Sequence, residues 1–330
     1  MYKRQNTGLG IDALANNTTG GSNTAVGLNA LVNNTTGFDN TASGRDVLVH
    51  NTSGHSNTAI GVGSLKSSVT GSSNTASGHS ALHGNTTGDN NTAIGASALV
   101  SNNTGAANTA NGISSLFFND AGNFNTANGA RALQNNTTGS NNTSCGVNAL
   151  FNNSTGSNNT AIGVGADVFP GDLENATAVG AGALVNASNK IRLGNAAITS
   201  IEAPVGITVV SDSAVKENFQ SVDGEEVLKK LRRVNVTSWN YIGHNPKEFR
   251  HYGPVAQEFY DAFGNDGVGK IGTATTITST DLSGVLMIAI QALEKKNTEQ
   301  SEEINLLRSR LDRLEKNNNK KKGSSPSKLA

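Results

Sequence analysis

The chain of 330 residues contains one cysteine, one tryptophan, two methionines and five prolines, and aromatic side chains make up only 5% of it. Cys145 alone cannot close an internal disulfide, so no covalent staple is available. No run of about 18 apolar residues is present, which excludes a membrane-spanning helix. Net charge is lacking too, because 25 basic and 25 acidic side chains cancel. That leaves no field to draw nucleic acid or an acidic membrane. Leu, Ile, Val and Phe together number 72, close to the level at which chains stop burying enough apolar surface to fold, although zero net charge argues against disorder. An ordinary large globular core is therefore not expected.

Asn, Thr and Gly are abundant, and unevenly placed. Residues 1–210 carry 16 charged side chains against 34 in 211–330, and 35 of the 45 asparagines, which marks a domain boundary near residue 210. The first part repeats with a period of 17. Eleven threonines from Thr7 through Thr24 and Thr41 to Thr177 fall in one column, and eleven glycines from Gly10 to Gly180 in a second. Leu14 to Leu150 form a third column, broken by Asp167 and resumed at Leu184, and Gly20 to Gly156 form a fourth. Each unit is an Asn-Thr-Ala-x-Gly segment, an Ala-Leu segment and Asn-Thr-Thr-Gly.

Seventeen residues are too few for two packed helices, and this composition opposes helix while favouring turns and short strands. Each unit is expected to be one coil of a β-solenoid, with Asn-Thr-Ala-Ile-Gly and x-Ala-Leu-x as strands and the glycines at corners in backbone angles denied to other residues. Coils stacking at about 4.8 Å would give a rod on the order of 50 Å long, with Asn and Thr ladders passing hydrogen bonds between coils. The interior is thin. It would hold one Leu, one or two Ala, and a position alternating between Ile60 or Ile94 and Ser43, Ser77 or Asn111. Such a rod buries little alone, so several chains are expected to pack side by side. Asn57-Thr58-Ala59-Ile60-Gly61 resembles the head repeats of trimeric bacterial surface adhesins, which implies a trimeric β-roll over residues 6–188.

Pro170-Gly171-Asp172 interrupts the last regular coil, and residues 189–210 read as capping strands. From Val222 a short helix is expected through Val227, Leu228 and Leu231, then strand-like Val234, Val236, Trp239 and Tyr241, then residues 251–259. These make a small α+β unit over 211–284. Leu286, Ile290, Leu293, Asn297, Gln300, Ile304, Leu307, Leu311 and Leu314 keep 4-3 spacing, the seam of a coiled coil over 285–316. The polar Asn297 and Gln300 would penalise slipped registers. Residues 317–330, with Lys320 to Lys322, read as a disordered, solvated tail.

Ser211-Asp212-Ser213-Ala214-Val215-Lys216-Glu217-Asn218, with Trp239-Asn240-Tyr241, residues 253–258, Asp281-Leu282-Ser283 and Ala289-Ile290-Gln291-Ala292-Leu293, resembles the endosialidase-type intramolecular chaperone domain that ends many phage tail fibres and spikes. The resemblance implies a domain that trimerises, templates folding of the fibre before it, and cuts itself off. It implies a cut between Ser211 and Asp212, with Ser211 as the essential hydroxyl and Lys216 as its base. The chain departs from the commonest pattern in having Ala214 in place of an arginine, and in having Pro254. A serine hydroxyl is a poor nucleophile until a neighbour accepts its proton, which a lysine can do once burial lowers its pKa. Assembly would supply that burial, so the cut would report correct folding. Attack by Ser211 on the preceding carbonyl would break the bond before it. A cut after Ser211 needs another geometry, within or between chains.

His50, His55, His79 and His83 occupy different columns, so no metal site is indicated, and no cofactor is expected. Cys145 shares the column of Ile60, Ile94 and Ile162 and reads as a half-buried structural thiol. Asn-x-Thr sequons recur as a by-product of the repeat. Residues 1–5 precede a repeat already in progress at Asn6 and read as adapter sequence ahead of a truncated gene. The expectation is a homotrimeric tail fibre or spike on a virion tail or cell surface, meeting a host glycan or receptor, with single-turnover autoproteolysis by a serine-lysine pair. The alternatives are a bacterial trimeric adhesin with the same end domain and a polysaccharide-degrading enzyme. The last would need recurring carboxylate pairs, which the repeats lack.

Overall fold

A residue repeated every 17 positions can stack on its own copies, and the computed structural model, which describes residues 5–198, 200–202 and 211–323, is built that way. Each of the first ten repeats contributes one three-residue strand, from Thr7–Leu9 to Thr160–Ile162. With Thr177–Val179 and Ile191–Leu193 they form one twelve-stranded sheet, parallel throughout and in chain order. Register follows the repeat, so Thr24 pairs with Thr41 and Ala25 with Ala42. The last step shortens, pairing Thr177 with Ile191. The result is a mainly β chain led by a β-solenoid of about eleven coils, as the 17-residue columns predict.

Strand alternation decides what faces inward. From Ala25 to Ala178 the middle residue of each strand is fully buried, an Ala except at Ser144, while the Thr before it and the residue after it face outward. The column of Ile60, Ile94 and Ile162, expected inside, is therefore outside, and Cys145 is exposed rather than half-buried. The Ala-Leu segments are likewise turns rather than strands. Only Asp167–Val168 and Leu184–Val185 pair there, in the last coils.

Those turns carry an unusual conformation. Leu31, Leu48, Leu65, Leu82, Leu99, Leu116, Leu133 and Leu150 are fully buried, and every one sits at a φ between +48° and +53°. The left-handed turn aims each Leu N–H along the stack, as from Leu31 to the Val47 carbonyl at 3.0 Å. The conformation costs about 1–2 kcal/mol per residue, and full burial of a Leu returns about 1.5–3 kcal/mol. The margin is small, which fits a thin interior.

Two buried asparagine ladders hold the coils in register. In one, the backbone N–H of Asn40 donates to Asn23 Oδ1 at 3.0 Å while Asn40 Nδ2 donates to the Gly54 carbonyl at 2.9 Å. In the other, Asn51 Nδ2 donates to Asn34 Oδ1 at 2.7 Å and to the Gly54 carbonyl at 3.1 Å. The sequon residues Asn34, Asn51, Asn85, Asn102, Asn136 and Asn153 belong to this second ladder and are fully buried, so their amides are not open to modification in the folded chain. Ser68 interrupts the ladder, leaving Ser68 Oγ and Asn51 Oδ1 buried without a partner. Ser68→Asn is expected to complete it and stabilise the chain by about 1–2 kcal/mol. Urea unfolding with an unchanged or lowered midpoint would contradict that.

The two glycine columns serve different needs. Gly10 to Gly180 take φ between +112° and +145°, as expected of corners. The Gly20 column does not; there a Cβ would lie 2.1–2.7 Å from a backbone oxygen of the next coil. It is glycine for space, not for angle. Asp167, in the leucine column, accepts from Asn152 Nδ2 at 2.9 Å and from the Val168 N–H at 2.8 Å. Burial pushes its carboxyl up to about 6 against the pull of these donors.

The chain divides into two units, with the boundary after Ile198. In the second, Asp223 Oδ1 caps helix α1 (Gly224–Leu231) by accepting from Glu225 N–H at 2.9 Å. Strand Thr237–Trp239 pairs antiparallel with His251–Gly253, helix α2 (Ala256–Phe263) follows, and helix α3 runs through Ser279–Gly323. Val227, Leu228, Phe259, Phe263 and Ala289 form the core. Gly224 permits close approach of α1 to α3, since a Cβ there would lie 2.7 Å from Ala292 Cβ, and Lys296 pairs with Glu225 at 2.6 Å. Helix α3 passes residue 316, where order was expected to end. Once nucleated, each added residue gains a backbone hydrogen bond. Residues 324–330, the rest of that tail, and 203–210, the later junction strands, lie outside the described residues, as do residues 1–4.

Candidate functional site

The first residues of the family-like segment form a tight local turn. Asp212 Oδ1 accepts from the Ala214 N–H at 2.9 Å, capping the short 3₁₀ helix Ser213–Val215. The Lys216 N–H closes the turn on the Ser213 carbonyl at 3.3 Å. The reversal returns the Lys216 side chain to Ser211, whose Oγ accepts from Nζ at 2.6 Å. The two residues singled out as hydroxyl and base are thus brought together, with Asp212 between them shaping the turn.

The contact is short enough for a charge-assisted hydrogen bond. An ammonium is only a donor, however, and can take the Ser211 proton only after giving up its own. Ser211, Asp212 and Lys216 are all exposed, so the single chain provides the geometry without the water exclusion.

Sequence reasoning missed a second feature. Trp239 packs against Tyr241 and His251, and His244 lies between Tyr241 and Phe249, with ring centroids 4.7–5.6 Å apart. Trp239 Nε1 and both ring nitrogens of His244 are buried without a partner. Strand pairing sets Trp239 opposite His251, a juxtaposition that local spacing does not give. Nearby, Glu258 accepts from the Asn235 N–H at 2.8 Å and from Asn235 Nδ2 at 3.2 Å, and these bonds hold its carboxyl below the usual range. They tie the start of α2 to the loop after α1.

Among the described residues no group of three or more His, Cys, Asp or Glu is placed to hold a metal, and no helix is long and apolar enough to cross a membrane. Residues 211–268 match the family model described as the chaperone of endosialidase. The matched stretch opens at Ser211 and takes in the turn, α1, the strand pair and α2. A comparison with curated proteins finds no match. The matched segment thus follows the β-solenoid in the chain.

Proposed function

We propose that the chain is a homotrimeric fibre or spike subunit of a virion tail or cell surface, whose end domain drives assembly and then releases itself by cutting between Ser211 and Asp212. The observation that carries the processing step is the 2.6 Å contact of Lys216 Nζ with Ser211 Oγ at the start of the family match. Ser211 supplies the hydroxyl, and Lys216 takes its proton once neighbouring chains bury the pair; the Oγ adds to the Ser211 carbonyl of a neighbouring chain, the Asp212 amine leaves with the proton, and water hydrolyses the ester that remains.

Assembly has its own support. Leu9 and Ile11, Val26 and Leu28, Ile60 and Val62, and Ile162 and Val164 flank the corner glycines of their coils and are 37–72% exposed. They make apolar patches, interrupted by Ser43 and Arg45, Ser77 and His79, Asn111 and Asn128 in other coils, that a lone protomer leaves in water. On α3, Leu286, Ile290, Leu293, Ile304, Leu307, Leu311 and Leu314 are exposed at 4-3 spacing, a seam suited to a coiled coil. Sedimentation of the full chain tests this: a mass of three chains is expected, and a well-folded lone protomer would overturn it. The outward Ile of Asn57-Thr58-Ala59-Ile60-Gly61 favours one other reading, a bacterial surface adhesin with the same end domain.

A further inference from the structure

Past the core of the second unit, helix α3 runs on alone. The apolar packing it shares with α1 and α2 reaches Ala292, and the Lys296–Glu225 pair lies just beyond. Residues 297–320 are then all exposed. A bare helix of this length is marginal in water, and most helical stability comes from covering an apolar face. Ile304, Leu307, Leu311 and Leu314 provide such a face, each 49–62% exposed, and no other described residue covers it.

The charges beside that seam point to its cover. Glu303 and Arg310 stand immediately before Ile304 and Leu311, and Arg308 and Glu315 immediately after Leu307 and Leu314. Glu303 is thus five residues from Arg308, and Arg310 five from Glu315. Five residues turn about 140° round a helix, outside the spacings of three and four at which side chains of one helix meet. Among the described residues no ion pair or hydrogen bond within the chain engages any of these four side chains. Between parallel helices in register, however, the residue before one seam position lies beside the partner's residue five further on. Both such places then hold opposite charges, in opposite order. The two earlier places, Ala289 with Glu294 and Lys296 with Ser301, hold no like-charged pair.

We propose that α3 selects a second copy of this chain, parallel and in register, by pairing Glu303 with Arg308 and Arg310 with Glu315 of the neighbouring helix. The inference deepens the assembly reading and rests on it. The seam alone would accept any helix with leucines at 4-3 spacing. An exposed ion pair contributes little attraction, so the charges act chiefly by exclusion, setting like charges together when the partner carries another pattern. A slip of one heptad would set Glu303 beside Glu315 or Arg310 beside Arg308. The alternating order therefore fixes register as well as partner, whatever the number of chains around the seam.

The test uses the full chain with Ser211→Ala, Cys145→Ser and Leu311→Cys, so that α3 stays attached and the one thiol reports contact at the seam. Copies with the native charges and copies with the full exchange E303R/R308E/R310E/E315R, tagged to differ in size, are co-expressed and mildly oxidised. Each is expected to form disulfide-linked pairs with itself, with mixed pairs at least about tenfold below either, a gap that narrows in high salt. The half exchange E303R/R310E sets like charges at both places. It is expected to link with itself at least about tenfold less than the full exchange, which carries the same two substitutions. Mixed pairs at the statistical level, equal linkage of half and full exchanges, or no linkage at residue 311 in chains that sediment as an oligomer would overturn the inference and leave the assembly reading standing. A well-folded lone protomer would defeat both.

Discussion

Ser211→Ala and Lys216→Ala are each expected to leave the chain whole on denaturing electrophoresis, whereas the parent releases a fragment of about 120 residues beginning at Asp212. Removing the hydroxyl removes the group that accepts from Lys216 Nζ. Removing the amine leaves the hydroxyl with no partner to take its proton, and loss of either member slows such chemistry at least about a thousandfold. Lys216→Arg separates base from positioning residue. The guanidinium can still donate to Ser211, yet it stays protonated at any working pH, so this variant too is expected to remain uncut. Cutting of Lys216→Arg at the parental rate would reduce Lys216 to a positioning role. An uncut parent in a verified trimer would defeat the processing reading.

Gly95→Ala is expected to destabilise the solenoid by about 2–6 kcal/mol, from two additive causes. The backbone at φ +131° is one that only glycine adopts freely, a strain of about 1–3 kcal/mol for any other residue. The added Cβ would also lie 2.6 Å from the Gly112 carbonyl oxygen of the next coil, and forcing packed backbone apart costs about 1–3 kcal/mol more. Against a total stability of about 5–15 kcal/mol, such a change is decisive. Gly165→Ala is the matched control, with φ +64° and no atom within 4 Å of the added Cβ. It should suffer the milder left-handed strain alone, about 1–2 kcal/mol. Equal urea midpoints for the two variants would show that coil stacking does not constrain the Gly95 column.

These contrasts bear on how far residues could be read without coordinates. The period placed Thr24 beside Thr41 and forecast the corner angle at Gly95, because parallel stacking of equal coils maps sequence spacing directly onto register. Side-chain direction was harder to read. In a strand as short as Thr58–Ile60 one residue faces inward, and it is the small Ala59 rather than the larger Ile60. Hydrophobicity alone points the other way. The left-handed leucines were hidden for a related reason, since bulky residues are scarce at positive φ and the pattern at Leu65 reads equally well as strand. At the candidate site, resemblance singled out Ser211 and Lys216, but the capping role of Asp212 needed only an Asp two residues before Ala214. The cluster of Trp239, His244 and His251 depends on strand pairing across a loop, which local spacing does not encode.

The offset of 17 between paired strands, constant from Thr7 to Thr177, has a consequence for how such a solenoid can change over generations. Loss or duplication of one whole unit leaves every remaining ladder intact and alters length in steps of about 4.8 Å. A single-residue insertion instead displaces one column against all those beyond it. Recombination between near-identical gene segments would therefore lengthen or trim the solenoid in discrete increments while the residues after it stay unaltered.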